Sequence, residues 1–111
     1  MEAGASVIDI YESAVDHRGV FGCVFERDDE TAYFYLIDMT ESEQRIILAF
    51  DAHLVTMMPA DIPITVRFSP LDDLAGLLVN GEVLAVYDLR NQAAPEGRWA
   101  TEADQRSFDP N

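Results

Sequence analysis

The chain contains no lysine. All seven of its basic residues are arginines, set against twenty-one acidic ones for a formal net charge of −14. Such a field repels nucleic-acid phosphates and anionic membranes and attracts cations and basic proteins. Direct nucleic-acid or membrane binding is therefore not expected, and a basic protein is the expected partner. The plain alternative is that the acid only keeps a small protein dissolved. Cysteine is nearly absent too. Cys23 stands alone, which excludes an internal disulfide and leaves no CxxC pair for zinc. No apolar run approaches the roughly 20 residues that span a bilayer. The first fifteen residues carry Glu2, Asp9 and Glu12 without a basic start or an apolar core, so no secretory signal is read there. Cytoplasmic residence is the expectation.

Catalytic signatures are also missing. There is no GxSxG elbow, Walker loop, GxGxxG or HExxH. Gly19-Val20-Phe21-Gly22 lies in a strand pattern and precedes no helix. No catalytic residue, resident metal or cofactor is assigned.

The chain does have ample core material. At 111 residues it fits one domain, and 49% of it is hydrophobic, which argues against disorder despite the charge. The clearest element is a hairpin. Leu74 to Val79 and Glu82 to Leu89 flank Asn80-Gly81, and Asn-Gly supplies the two positive φ angles of a type I′ turn. Gly19 to Glu26 and Thr31 to Asp38 make a second hairpin. Aromatic and β-branched residues fill its arms, and Arg27-Asp28-Asp29-Glu30 forms its turn. Arg45 to Val55 and Ile62 to Phe68 read as further strands, and Val7 to Tyr11 as a short edge strand.

The expected fold is mainly β, an antiparallel meander of six or seven strands forming a sandwich or open barrel. Residues 1–90 make the β-rich domain. Residues 91–111 make a polar, irregular tail docked through Trp99 and Phe108. Along Glu82 to Leu89, alternation puts Val83, Ala85, Tyr87 and Leu89 on one face and Leu84 and Val86 on the other. A sheet that is apolar on both sides needs a second layer, closure on itself, or a partner.

Three stretches carry a resemblance: Val24 to Tyr35, Ile47-Leu48-Ala49-Phe50-Asp51-Ala52-His53, and Leu77-Leu78-Val79-Asn80-Gly81. Together they resemble a family of small bacterial proteins, the domain of unknown function numbered 2251. The resemblance implies a bacterial cytosolic domain and carries no activity, cofactor or site residue with it.

Candidate chemistry is sparse. On a strand from Arg45 to Val55, Asp51 and His53 would share one face, with Cα atoms roughly 6–7 Å apart. They could orient each other or supply two ligands of a metal site, which normally needs a third. Cys23 sits among Phe21 and Phe25, a setting for a buried structural thiol rather than a reactive one. Glu26, Asp28, Asp29 and Glu30 form the densest acidic turn, without the alternating ligands and central glycine of an EF-hand.

In a meander this turn shares an end with Asp61 and Asn80-Gly81, while Glu41, Glu43, Asp72 and Asp73 gather at the other. Two acidic poles result. The leading functional expectation is a non-enzymatic module whose acidic surface neutralises a basic partner, such as an immunity or antagonist protein held against a toxin or nuclease. Its contacts would be Asp28, Asp29, Glu30, Asp72 and Asp73. The alternatives are a small-molecule or metal-binding β domain around Asp51 and His53, and a structural domain that forms homodimers.

Overall fold

Turn chemistry sets the two central hairpins. A computed structural model describes residues 9–40, 43 and 45–108. Asn80 and Gly81 take φ of 54° and 85°, as the type I′ turn requires. They join β6 (Leu74–Val79) to β7 (Glu82–Asp88). Between β2 (Phe21–Arg27) and β3 (Ala32–Asp38), the Asp28 carboxylate accepts the N–H groups of Glu30 and Thr31 at 2.8 and 2.7 Å. An aspartate that binds the backbone two and three residues on is a local turn-former.

Around these hairpins stand β1 (Ile10–Val15), β4 (Arg45–Asp51), β5 (Ile64–Phe68) and β8 (Glu96–Trp99), with α1 (Glu102–Phe108) at the end. The strands form two four-stranded antiparallel meanders, β1-β2-β3-β4 (sheet one) and β5-β6-β7-β8 (sheet two). The chain is thus a mainly β sandwich, with eight strands where six or seven were expected. Within the described residues, the edge strand expected over Val7 to Tyr11 begins at Ile10 and runs on to Val15.

Alternation aims one face of each sheet at the other. Phe21, Cys23 and Phe25 of β2, Phe34 and Leu36 of β3, and Leu77, Ala85, Tyr87 and Leu89 of sheet two fill a single core. The Tyr87 ring lies 4.8 Å from that of Phe34. Its hydroxyl donates to the Phe34 carbonyl and, at 3.3 Å, to that of Leu48. This buried phenol therefore joins the two sheets.

The outer face of sheet two is apolar as well, and α1 covers it. Leu74, Leu78, Val86 and Phe108 form a second, smaller cluster. Phe108 lies flat on Gly76, where an added Cβ would come within 2.5 Å of the ring. The Arg67 guanidinium stacks over that ring at 5.5 Å and donates to the Phe108 carbonyl at 2.9 Å.

Two details differ from the simple alternation. A register shift between Leu77 and Leu78 bulges β7 at Leu84, and beyond it the faces exchange. Leu84 packs on the main core and Val83 on the outer cluster. The segment expected to be irregular after residue 90 instead holds β8 and α1. Thr101 and Asp104 cap α1 reciprocally: the Thr101 N–H donates to the Asp104 carboxylate at 2.8 Å, and the Asp104 N–H to the Thr101 hydroxyl at 3.3 Å. Phe108 is buried, whereas Trp99 stays 46% exposed with its edge against Phe50.

Candidate functional site

The connections collect at two ends of the sandwich. At one end, the Met39 N–H donates to the Val20 carbonyl and the Leu89 N–H to that of Asp73, while His17 pairs with Asp72. At the other end, Arg27 reaches across from β2. It donates to the Val55 carbonyl at 3.0 Å and the Thr56 carbonyl at 3.3 Å, fixing a 3-10 turn over His53–Met57. The Asn80 N–H donates to the Pro63 carbonyl at 2.7 Å, so the β6–β7 turn lies at this second end.

Arginines compensate the first end. Asp72 is buried, and its carboxylate meets His17 and, at 3.9 Å, the Arg18 guanidinium. Asp16 takes Arg18 at 3.3 Å, and Asp38 takes Arg45 at 3.5 Å. Asp88 holds both Arg90 and Arg98, and Asp104 also holds Arg98. The Arg90 side chain, helped by its backbone N–H, holds the Asp88 carboxyl well below the usual carboxylate range. Asp73 accepts the Ser69 hydroxyl at 2.7 Å. Both expected contact residues at this end are therefore engaged within the molecule. Glu41 lies outside the described residues.

At the second end Glu26, Asp28 and Glu30 pair with no arginine side chain among the described residues. Glu26, Asp28, Asp29 and Glu30 crowd the β2–β3 turn, and Asp51 stands at the end of β4. Among the described residues the only arginine here is Arg27, which is 3% exposed and has its guanidinium engaged by carbonyls of Val55, Thr56 and Asp28. Asp28 is held below the usual carboxylate range, first by the Glu30 N–H and then by that of Thr31.

Asp51 and His53 are not the strand pair that spacing suggested. β4 stops at Asp51 because its carboxylate accepts the His53 backbone N–H at 2.9 Å, which turns the chain into the 3-10 segment. The imidazole faces the Thr56 hydroxyl at 3.5 Å instead. Among the described residues, no group of three or more His, Cys, Asp or Glu side chains is placed to hold a metal. Cys23 is buried, and burial pushes its thiol up to about 12, so it presents almost no thiolate at neutral pH.

The open face beside the acidic end is a feature the reading of charge alone missed. On the outer side of sheet one, Tyr11, Glu26, Tyr33 and Asp51 line up across the four strands, with Tyr35 and Val24 in the next row. Tyr11 is 60% exposed and Tyr33 37%. Alternation against Phe34 and Leu36 was the signal, since it turns Tyr33 and Tyr35 outward. Asp9, Glu26, Asp28, Thr31, Tyr33 and Tyr35, with Arg27, line a concavity of about 250 Å³ here.

Fold and surface together define a small acidic β-sandwich in which, among the described residues, Glu26, Asp28 and Glu30 at one end pair with no arginine and no element covers the tyrosine-bearing face of sheet one. The family model described as an uncharacterized protein conserved in bacteria, DUF2251, matches residues 5–105, and the chain belongs to that family. No curated protein and no solved structure matches the chain. Among the described residues, no helix is long and apolar enough to cross a membrane.

Proposed function

We propose that the chain is a non-enzymatic binding module that receives a basic protein at the acidic end around its β2–β3 turn. An antagonist or immunity protein directed at a basic toxin or nuclease is the concrete form. One observation carries this reading: Asp72, Asp88 and Asp104 each meet a guanidinium of the chain's own arginines, whereas among the described residues the Asp28 carboxylate bonds only to the Glu30 N–H and to Thr31, and the exposed Glu26 and Glu30 side chains meet no arginine. A partner that brings cations to this end meets carboxylates still open to it. Asp72 and Asp73 leave the proposed contact set, and Glu26 joins it.

Complementary charge accelerates encounter and selects the partner, while fully buried contacts supply most of the affinity. The test is capture from a lysate of the source cell on the immobilised chain. The expected result is one basic protein retained in stoichiometric amount at 0.1 M salt and released at 1 M, as the screening length falls from about 10 Å to about 3 Å. Reversing Glu26 and Glu30, both exposed, to arginine is expected to abolish retention. The same reversal at Glu96 and Glu102, which are also exposed but lie on sheet two and α1, leaves it intact. Equal retention by both variants, or no basic protein at low salt, would sink the reading.

A further inference from the structure

We infer that the outer face of sheet one is the docking surface and that it takes an arginine side chain of the partner between Tyr33, Tyr35, Glu26 and Asp28. This rests on the binding reading above and adds where the partner sits and what anchors it.

The two outer faces of the sandwich differ. That of sheet two is sealed by α1, while no described element lies over that of sheet one. Tyr33 and Tyr35 project two residues apart on β3, with centroids 6.0 Å apart and planes 21° from parallel. Two nearly parallel rings give a flat, weakly hydrated guanidinium a surface to stack on, which suits arginine better than the compact, strongly hydrated ammonium of lysine. Burial, and then the nearby Glu26 charge, raise the Tyr35 phenol above its ordinary range. Glu26 and Tyr35 line the same concavity.

Three carboxylates and one guanidinium line this concavity. That guanidinium, from Arg27, is already bonded to carbonyls, so the open charge is negative. Asp28 uses Oδ1 for the turn, which leaves Oδ2 to accept from an incoming N–H. A second concavity of about 210 Å³ adjoins along the same strands, lined by Tyr11, Val15, Val24, Ile37 and Met39 among others. It suits an apolar residue flanking the arginine. A second copy of this chain would bring carboxylates to carboxylates. Like charge therefore selects a cationic partner for this face.

The experiment follows the amide and tyrosine-ring NMR signals of the intact chain during titration with N-acetyl-arginine amide, the lysine analogue, and the neutral citrulline analogue. Arginine is expected to shift Glu26, Tyr33 and Tyr35 saturably, roughly five-fold more tightly than lysine, with no saturable response to citrulline. The Tyr33→Ser, Tyr35→Ser double variant, its fold checked by its amide spectrum, is expected to lose the preference for arginine over lysine. Shifts spread evenly over all exposed carboxylates, or an unchanged preference in the double variant, would overturn the anchor.

The docking face has its own readout. If the double variant captures the basic partner undiminished, the face is wrong while the acidic module stands. A saturable arginine site in a chain that captures no basic protein keeps the anchor and fails the binding reading. A sedimentation experiment showing a dimer closed over Tyr11 and Ile46 would replace the cationic partner with a second copy.

Discussion

Tyr87 does at one side chain what the two sheets do as layers. Its ring packs on Phe34, and its hydroxyl donates to carbonyls of sheet one. Burial pushes the phenol well above the usual tyrosine range, so it remains a donor at any working pH. Tyr87→Phe keeps the ring and removes the donor, leaving the Phe34 and Leu48 carbonyls without it. The expected cost is about 1–2 kcal/mol, read as a lower denaturant midpoint with an unchanged slope. The placement of this residue was legible: alternation from the Asn-Gly turn put Ala85, Tyr87 and Leu89 on one face. What Asp51 and His53 do was not, because a two-residue spacing describes neighbours only while the strand continues. Here the carboxylate itself ends the strand by accepting the His53 N–H.

At the scale of elements, α1 is held by a fit and a cap. Phe108 occupies the space over Gly76, the Gln105 side chain accepts the Val83 N–H at 2.7 Å, and Arg98 grips Asp104. Gly76→Ala would drive its new methyl into the Phe108 ring. The expected outcome is a helix lifted from sheet two at a cost of roughly 1–3 kcal/mol, while β2 and β3 keep their pairing. Hydrogen exchange checks this: amides 105–108 lose protection and those of β2 and β3 do not. The tail read as irregular because its burial is so sparse. In seven helical residues only Asp104 and Phe108 are buried, too few to make a periodic pattern. The sequence signal that remains is Thr101-Glu102-Ala103-Asp104, a capping-box spacing. The bulge at Leu84 carries no such signal. It arises from how β7 registers against β6, and it exchanges the faces of Val83 and Leu84.

For the whole molecule, charge count and charge placement have different consequences. The total of −14 was legible from composition, and the turn order of a meander implied two acidic poles. Only the pairing of Arg18, Arg45, Arg90 and Arg98 with carboxylates makes one pole differ from the other, and pairing across strands depends on register. The same pairing sets the acid response. Asp88 is lowered mainly by Arg90. Asp38 is lowered by the hydroxyl and N–H of Thr40. At Asp104, burial works to raise the pKa, and Arg98 with the Thr101 N–H outweighs it.

A carboxyl whose folded pKa lies below its unfolded value, about 3.9 for aspartate, stabilises the fold above that value. The contribution is lost as pH falls through the folded pKa. Stability is therefore expected to hold through neutral pH and to drop below about pH 4. Asp88→Asn should be less stable than the parent chain at pH 7, and the gap should close as pH falls from about 5 toward 2. Denaturant midpoints across that range check it, and a gap independent of pH would reject it.

The seal that α1 places over sheet two has a consequence for biosynthesis. The chain leaves the ribosome from its N-terminus, and each meander pairs neighbours in order, so the hairpins can close as they emerge. Leu74, Leu78 and Val86, however, have no cover until Phe108 has followed them out. During that interval the nascent protein carries a naked greasy patch next to an unfinished edge strand, a surface that invites aggregation or chaperone capture. A ribosome stalled after β7 would release a product whose hairpins are made but which sticks to its neighbours. α1 thus marks the point at which this apolar face of sheet two stops being adhesive.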